Sequence, residues 1–192
     1  MFNVPVIILK NLVILPKQEI KLELNNIISE KAIKESSLNY KSEILVIAPT
    51  DTFEEEPSVD DLPKVGVIAR IKSKISGPNG IQVKLQGLKR VAVNRYFGGT
   101  DDILFSEAMY IDLPPLIEEE SNAILRKLLS VLKKYIETSD SASNDILAFV
   151  TNSKDLDRIT DAIASYLPFD IGKKMEYMQN INPIKRAKAL IK

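Results

Sequence analysis

The sequence predicts an α+β protein, with a β-rich lobe over residues 1–113 followed by a helical lobe over residues 114–192. Up to the pair Pro114-Pro115 the apolar residues recur at every second position, and after it they recur at helical spacing. Between two of the alternating runs stands Gly77-Pro78-Asn79-Gly80, a turn-forming tetrapeptide that makes their arms a hairpin.

The first lobe is built element by element from that alternation. Residues 3–9 and 43–49 are short, almost continuously apolar runs, as expected of strands buried on both faces. Ile20, Leu22 and Leu24 alternate with Lys21 and Glu23, which gives a strand with one wet face. Ser29 to Leu38 is the helical candidate of this half, with Ser29 as its cap. Residues 65–76 and 81–95 form the long hairpin. In its second arm Gly87 interrupts the alternation, because Leu88 falls on the parity that was polar before it, so a bulge is expected there. Gly66 is assigned similar work in the first arm, and residues 103–112 supply a last strand.

In the second lobe Leu125, Leu128, Leu129, Leu132 and Ile136 mark a wide stripe on a helix that starts near Glu118-Glu119-Glu120 and ends near Lys133-Lys134, charges that suit the helix dipole. Further helices are expected over 143–151, 155–167, 171–179 and 183–191. The last has Asn182 as its cap and Pro183 at the first helical position.

Composition narrows the chemistry. The 192 residues hold 26 Lys+Arg and 26 Asp+Glu, with no His, Cys or Trp. Disulfides, thiolate nucleophiles, imidazole ligands and His-based catalytic pairs are therefore excluded. Each lobe is close to neutral, with 14 basic and 15 acidic residues before Pro114 and 12 and 11 from there on, so neither resembles a phosphate-binding module. The opening run from Met1 lacks a basic leader and is broken by Pro5 and Lys10, and no stretch approaches the ~20 apolar residues of a membrane span. A cytoplasmic protein is expected.

The individual motifs give no catalyst. The acidic stretch Asp51 to Asp61 lacks the glycine of a calcium loop and is expected to be a solvated loop. Gly172-Lys173 fails the phosphate-loop pattern at Leu167 and Lys174, and Gly98-Gly99 reads as a turn. Ser73-Lys74 and Ser153-Lys154 are adjacent pairs, and neighbours on a strand point to opposite faces. No catalytic residue, cofactor or metal site is expected. Lys84, Lys89, Arg90 and Arg95, next to Tyr96 and Phe97, support one alternative: a stand-alone barrel binding RNA or single-stranded DNA through basic strands and stacking aromatics.

Four segments carry a family resemblance. They are Val6-Ile7-Ile8-Leu9-Lys10-Asn11-Leu12-Val13-Ile14-Leu15-Pro16, Lys64 to Ile71, Gln86-Gly87-Leu88-Lys89-Arg90-Val91, and Asp161 to Pro168 followed by Asn182-Pro183-Ile184-Lys185-Arg186-Ala187. In this order they resemble the N-terminal domain of the Lon family of ATP-dependent proteases, the "GLxR" strand being the most specific. The resemblance implies a PUA-like antiparallel β pseudo-barrel followed by an α-helical bundle. It also implies non-catalytic recognition of unfolded or damaged protein substrates and a part in holding a hexamer together. The family's ATPase and Ser–Lys protease domains lie downstream of the segments matched, so a fragment of a longer subunit is expected, with a stand-alone protein as the alternative; the departure expected from the family's pattern concerns the long helix that normally follows the bundle. Residues expected to offer apolar surface to an unfolded chain are Ile75, Pro78 and Ile81 around the hairpin tip, and Tyr96 and Phe97 before the Gly-Gly turn. The competing reading of Tyr96 and Phe97 is that they cover the barrel end.

Overall fold

A computed structural model describes residues 1–49, 58–99, 102–113, 115–138 and 144–191. Residues 51–57 of the acidic stretch lie outside it; the described end of that stretch forms a short 3-10 turn at Val59–Asp61, capped by Ser58. The chain forms two compact units, residues 1–111 with 171–179, and residues 112–170 with 180–192. The expected division into 1–113 and 114–192 therefore differs in one element, since the helix at 171–179 clusters with the strands.

The β unit contains β1 (Phe2–Ile8), β2 (Glu19–Leu24), α1 (Ile27–Asn39), β3 (Glu43–Ile47), β4 (Val65–Gly77), β5 (Gly80–Gly98), β6 (Leu104–Tyr110) and α5 (Ile171–Gln179). Strand order is β2-β5-β4-β3-β1-β6, with a further pairing of β5 to β6. Five strands thus close into a ring, and β2 extends the sheet from β5. The expectation of a purely antiparallel barrel is corrected at one seam: β1 and β3 run parallel, with Val6 opposite Leu45. The physical reason is the connection between them, which passes through β2 and α1 and so returns to the same end of the sheet. The inside of the ring is filled by Val4, Val6, Leu45, Ile47, Ile68, Val91 and Val93, among others.

β5 is 19 residues long and irregular where the ring needs it to be. Ala69 pairs with Gly87 and Ile68 with Lys89, so Leu88 is the extra residue of a bulge, as the broken alternation predicts. Gly87 itself answers to a different constraint. Its N–H donates to the Gln18 carbonyl at 2.9 Å and its carbonyl accepts from the Lys17 N–H at 2.8 Å, and a Cβ there would lie 2.2 Å from the Leu15 carbonyl oxygen. Gly66 makes no bulge, contrary to expectation, because Gly66 stays in register with Val91; a Cβ there would meet Leu45 at 2.7 Å. A second bulge on β5 makes Asn94 the extra residue, and Asn94 and Arg95 then both donate to the Glu107 carboxylate, at 2.9 and 3.1 Å. Those two hydrogen bonds, with the Arg95 charge, hold the Glu107 carboxyl below its ordinary range.

α1 starts two residues before the expected Ser29. Asn26 is the cap, its side chain accepting from the Ile28 and Ser29 N–H groups. The buried Ala32, Ile33 and Ser36 face the sheet, and Ser36 Oγ donates to the Glu43 carbonyl at 2.6 Å. α5 is held to the strands by Arg90. This guanidinium is buried, its Nε donates to the Met178 carbonyl at 2.8 Å, and it lies 5.6 Å from the centre of the Tyr177 ring. A cation bound to a carbonyl in the last turn of a helix also opposes the helix dipole favourably.

The helical unit comprises α2 (Glu118–Thr138), α3 (Asn144–Asn152), α4 (Leu156–Tyr166) and α6 (Pro183–Ile191). Their apolar stripes meet in a core that includes Leu125, Leu128, Leu132, Val150, Ile159 and Ile163. Asp155 caps α4, and Asn182 caps α6, accepting from the Ile184 and Lys185 N–H groups. Arg186 is wholly buried: it donates to Asp157, to Thr160 Oγ1 at 3.4 Å and to the Asn180 carbonyl at 2.8 Å, with the Asp161 carboxylate 3.7 Å away. The two C-terminal segments that carry the resemblance therefore meet in space. No described helix is long and apolar enough to cross a membrane.

Removing either buried cation has a local consequence. Arg186→Met removes the guanidinium that Asp157, Thr160 and the Asn180 carbonyl surround and is expected to cost the helical unit about 3–5 kcal/mol, measured by denaturant unfolding. Arg90→Met is expected to speed amide hydrogen exchange over 171–179 while the barrel strands keep their protection, because the barrel core does not include Arg90.

Candidate functional site

Backbone geometry at the β4–β5 turn decides which apolar side chains are offered to solvent. Pro78 and Asn79 form the turn between paired Gly77 and Gly80. Gly80 has φ of +140°, and a Cβ on it would lie 2.2 Å from the Leu24 carbonyl oxygen and 3.0 Å from the Asn25 Cα. Only glycine fits both conditions. The hairpin tip is thereby pressed against the end of β2, two residues before α1 begins.

Four exposed apolar residues stand on the two segments that meet at this contact, two on the hairpin and two at the start of α1. Ile75 is 66% exposed and Pro78 is exposed on the hairpin; Ile27 and Ile28, the first residues of α1, are 69% and 42% exposed. Of the four, Ile75 lines a shallow groove of about 380 Å³ over β2, β5 and β4, together with Lys21, Leu22, Glu23, Gln82 and Lys84 among others. Ile27 and Ile28 were not among the expected residues. Asn26 followed by two isoleucines was the available signal, since residues in the first turn of a capped helix need not follow its buried stripe.

The expected set is divided by the structure. Ile75 and Pro78 are at the tip and accessible. Ile81 is 2% exposed and Tyr96 7%, so both are core side chains. Ile81 lies on the other face because it pairs with Leu24 and Ser76, whereas Ile75 pairs with Gln82. Tyr96 donates its hydroxyl to the Pro63 carbonyl at 2.5 Å, and burial pushes its phenol well above the ordinary value. Phe97 is half-buried, stacked on Phe105 with ring centres 5.9 Å apart. Tyr96 and Phe97 stand at the far end of β5 from the tip; Tyr96 belongs to the barrel core, and Phe97, its neighbour on the strand, faces the other way.

The basic residues do not form one patch either. Lys84 is paired with Glu19 at 2.5 Å and Arg95 with Glu107 at 3.1 Å; Lys89 sits 5.7 Å from the Tyr110 ring centre; Arg90 is buried against α5. Hydrogen bonding to Lys84 holds the Glu19 carboxyl below its ordinary range. Ser73 pairs with Lys84 across the ladder and Lys74 with Val83, so Ser73 and Lys74 face opposite ways. Among the described residues there is no group of three or more acidic side chains able to hold a metal ion.

Comparison with known proteins gives a consistent result. The family described as the ATP-dependent protease La (LON) substrate-binding domain matches residues 3–192. Lon protease of Brevibacillus choshinensis is 28% identical over 190 residues, covering 98% of this chain and 24% of its own length. Lon protease of Escherichia coli strain K12 is 25% identical over 180 residues, covering 92% and 22%. The chain thus spans about a quarter of the length of these relatives. Among solved structures, the N-terminal domain of Mycobacterium avium complex Lon protease superposes with a TM-score of 0.75 at 17% identity, covering 99% of this chain and 96% of that one. The Lon N-terminal domain protein from Xanthomonas campestris gives 0.66 at 18% identity, covering 100% and 98%.

Exposed isoleucines that touch little can be replaced without unfolding the protein. Ile27→Asp and Ile75→Asp, made together, are expected to lower binding of a dye that fluoresces on apolar surfaces while each changes stability by no more than about 0.5 kcal/mol.

Proposed function

The chain belongs to the LON substrate-binding family, and from that premise we propose that it recognises unfolded or damaged protein substrates without catalysing any reaction on them, and helps to hold the subunits of an ATP-dependent Lon-type protease together. The ATPase and the Ser–Lys endopeptidase of that protease would lie outside this chain, and the assembly would be a cytoplasmic hexamer. The closed β unit is read as the PUA-like pseudo-barrel of such domains, with one parallel seam.

The observation that carries the recognition reading is the exposure of Ile75 and Pro78 on the β4–β5 hairpin and of Ile27 and Ile28 at the start of α1, on segments that meet where Gly80 approaches Leu24. Exposed apolar side chains distinguish unfolded from folded polypeptide, because folding hides them. Full burial of an isoleucine is worth roughly 1.5–3 kcal/mol, and association must first overcome its entropic cost. A patch of this size therefore binds weakly, with a dissociation constant of micromolar or poorer. Weak contacts suit a surface that must accept many sequences and release them, and several copies in one assembly would raise the effective affinity by avidity.

A permanently unfolded, alkylated protein labelled with a fluorophore provides the test. The chain is expected to bind it, to ignore the same protein in its folded state, and to lose several-fold in affinity with Ile27→Asp and Ile75→Asp combined. Equal binding of the folded and unfolded forms, or steady ATP hydrolysis by the purified chain, would falsify the reading.

A further inference from the structure

The geometry points to β2 as a pairing edge for a second copy of this chain. Among the described residues β2 pairs with β5 alone, in an unbroken register of six residues, so its other edge carries backbone N–H and C=O groups without strand partners. No proline or bulge interrupts it. Its side chains alternate, with Glu19, Lys21 and Glu23 exposed on one face and Ile20 and Leu22 half-buried on the other.

The charges select both the partner and the register. Glu19 is already paired with Lys84. Lys21 is directly opposite Lys84, a like charge, and among the described residues neither Lys21 nor Glu23 has an ion-pair partner. In antiparallel pairing about a two-fold axis, only residues of equal parity can stand opposite one another with their backbone groups aligned. Centring the axis on Leu22 places Lys21 opposite Glu23 of the second copy, and Glu23 opposite its Lys21. Both unpaired charges are then met, Ile20 faces Leu24, Leu22 faces Leu22, and Glu19 faces the neutral Asn25. Centring on Lys21 would instead oppose two lysines and set Glu19 against Glu23. Centring on Ile20 would set Lys21 against the Glu19 already held by Lys84, and would leave Glu23 and Leu24 beyond the paired run. The strand is thus self-complementary in one register, which is the requirement of an isologous two-fold interface. Lysine on an exposed edge ordinarily discourages pairing; here it chooses the register. A contact this short buries far less than the roughly 1,600 Å² of a standard interface, so the dimer is weak and reversible.

Sedimentation of the 192-residue chain across the micromolar to millimolar range tests the pairing. The wild-type chain is expected to pass from monomer to dimer as concentration rises. Lys21→Glu alone sets glutamates against glutamates and Glu23→Lys alone sets lysines against lysines, so each should weaken the dimer by about tenfold. A mixture of the two single variants should form a mixed dimer, since all four facing charges are then opposite in sign, and the double variant K21E/E23K should recover self-association. Far-UV circular dichroism is expected to be unchanged throughout, because both positions are exposed. A chain that stays monomeric up to about 1 mM, a dimer insensitive to either variant, or single variants that fail to complement each other would overturn the proposal. So would an unfolded polypeptide that takes the β2 edge in place of a second copy. The pairing is independent of the recognition reading: loss of the dimer with unfolded-protein binding retained sinks only the pairing, and the reverse result sinks only the recognition.

Discussion

Closure of the β unit requires β5 to serve two partners on one edge. Its other edge follows β4 over 80–92; on this edge it pairs with β2 over 81–86 and with β6 over 91–98. Between those two stretches the backbone of Lys17 and Gln18 fills the interval by hydrogen-bonding to Gly87. A side chain at that position would occupy the space of the Leu15 carbonyl, so the loop could not approach and the edge would be left open. The bulges at Leu88 and Asn94 supply the bend, and a strand that turns twice can run along the wall of a small barrel without breaking its ladders.

Two buried arginines then fix the segments that the strand ladder does not reach. Arg90 binds the last turn of α5 and so draws residues 171–179 into the β unit, while the chain on either side of them belongs to the helical unit. Arg186 joins α6 to α4 through Asp157, Thr160 and Asp161. A buried guanidinium is tolerable only when an anion or a carbonyl lies close to it. These contacts specify which segments associate more than they add to net stability, since desolvation offsets much of their attraction.

The parts of the β unit that hold it together are separate from the parts offered to other molecules. Gly87, Arg90 and Tyr96 face inward or are covered; the exposed isoleucines, the groove above β2 and the edge of β2 away from β5, which has no strand partner among the described residues, lie apart from them. A surface arranged in this way can vary in sequence without loss of the fold, which suits the recognition role proposed for it.

Periodicity, with a few turn and cap residues, determined the elements. Alternation located the strands, the Gly-Pro-Asn-Gly turn located the hairpin, the misplaced Leu88 located a bulge, and Asn182-Pro183 located the start of the last helix. These are local properties, set by backbone geometry and by which face of a segment must be dry. What only the tertiary structure decided is how the segments associate: the parallel seam between β1 and β3, the membership of α5, the burial of Arg90, Ile81 and Tyr96, and the exposure of Ile27 and Ile28. Burial depends on what covers a side chain, and the covering residue can be far away along the chain, as Met178 is from Arg90 and Pro63 from Tyr96. No window of neighbouring residues contains that information.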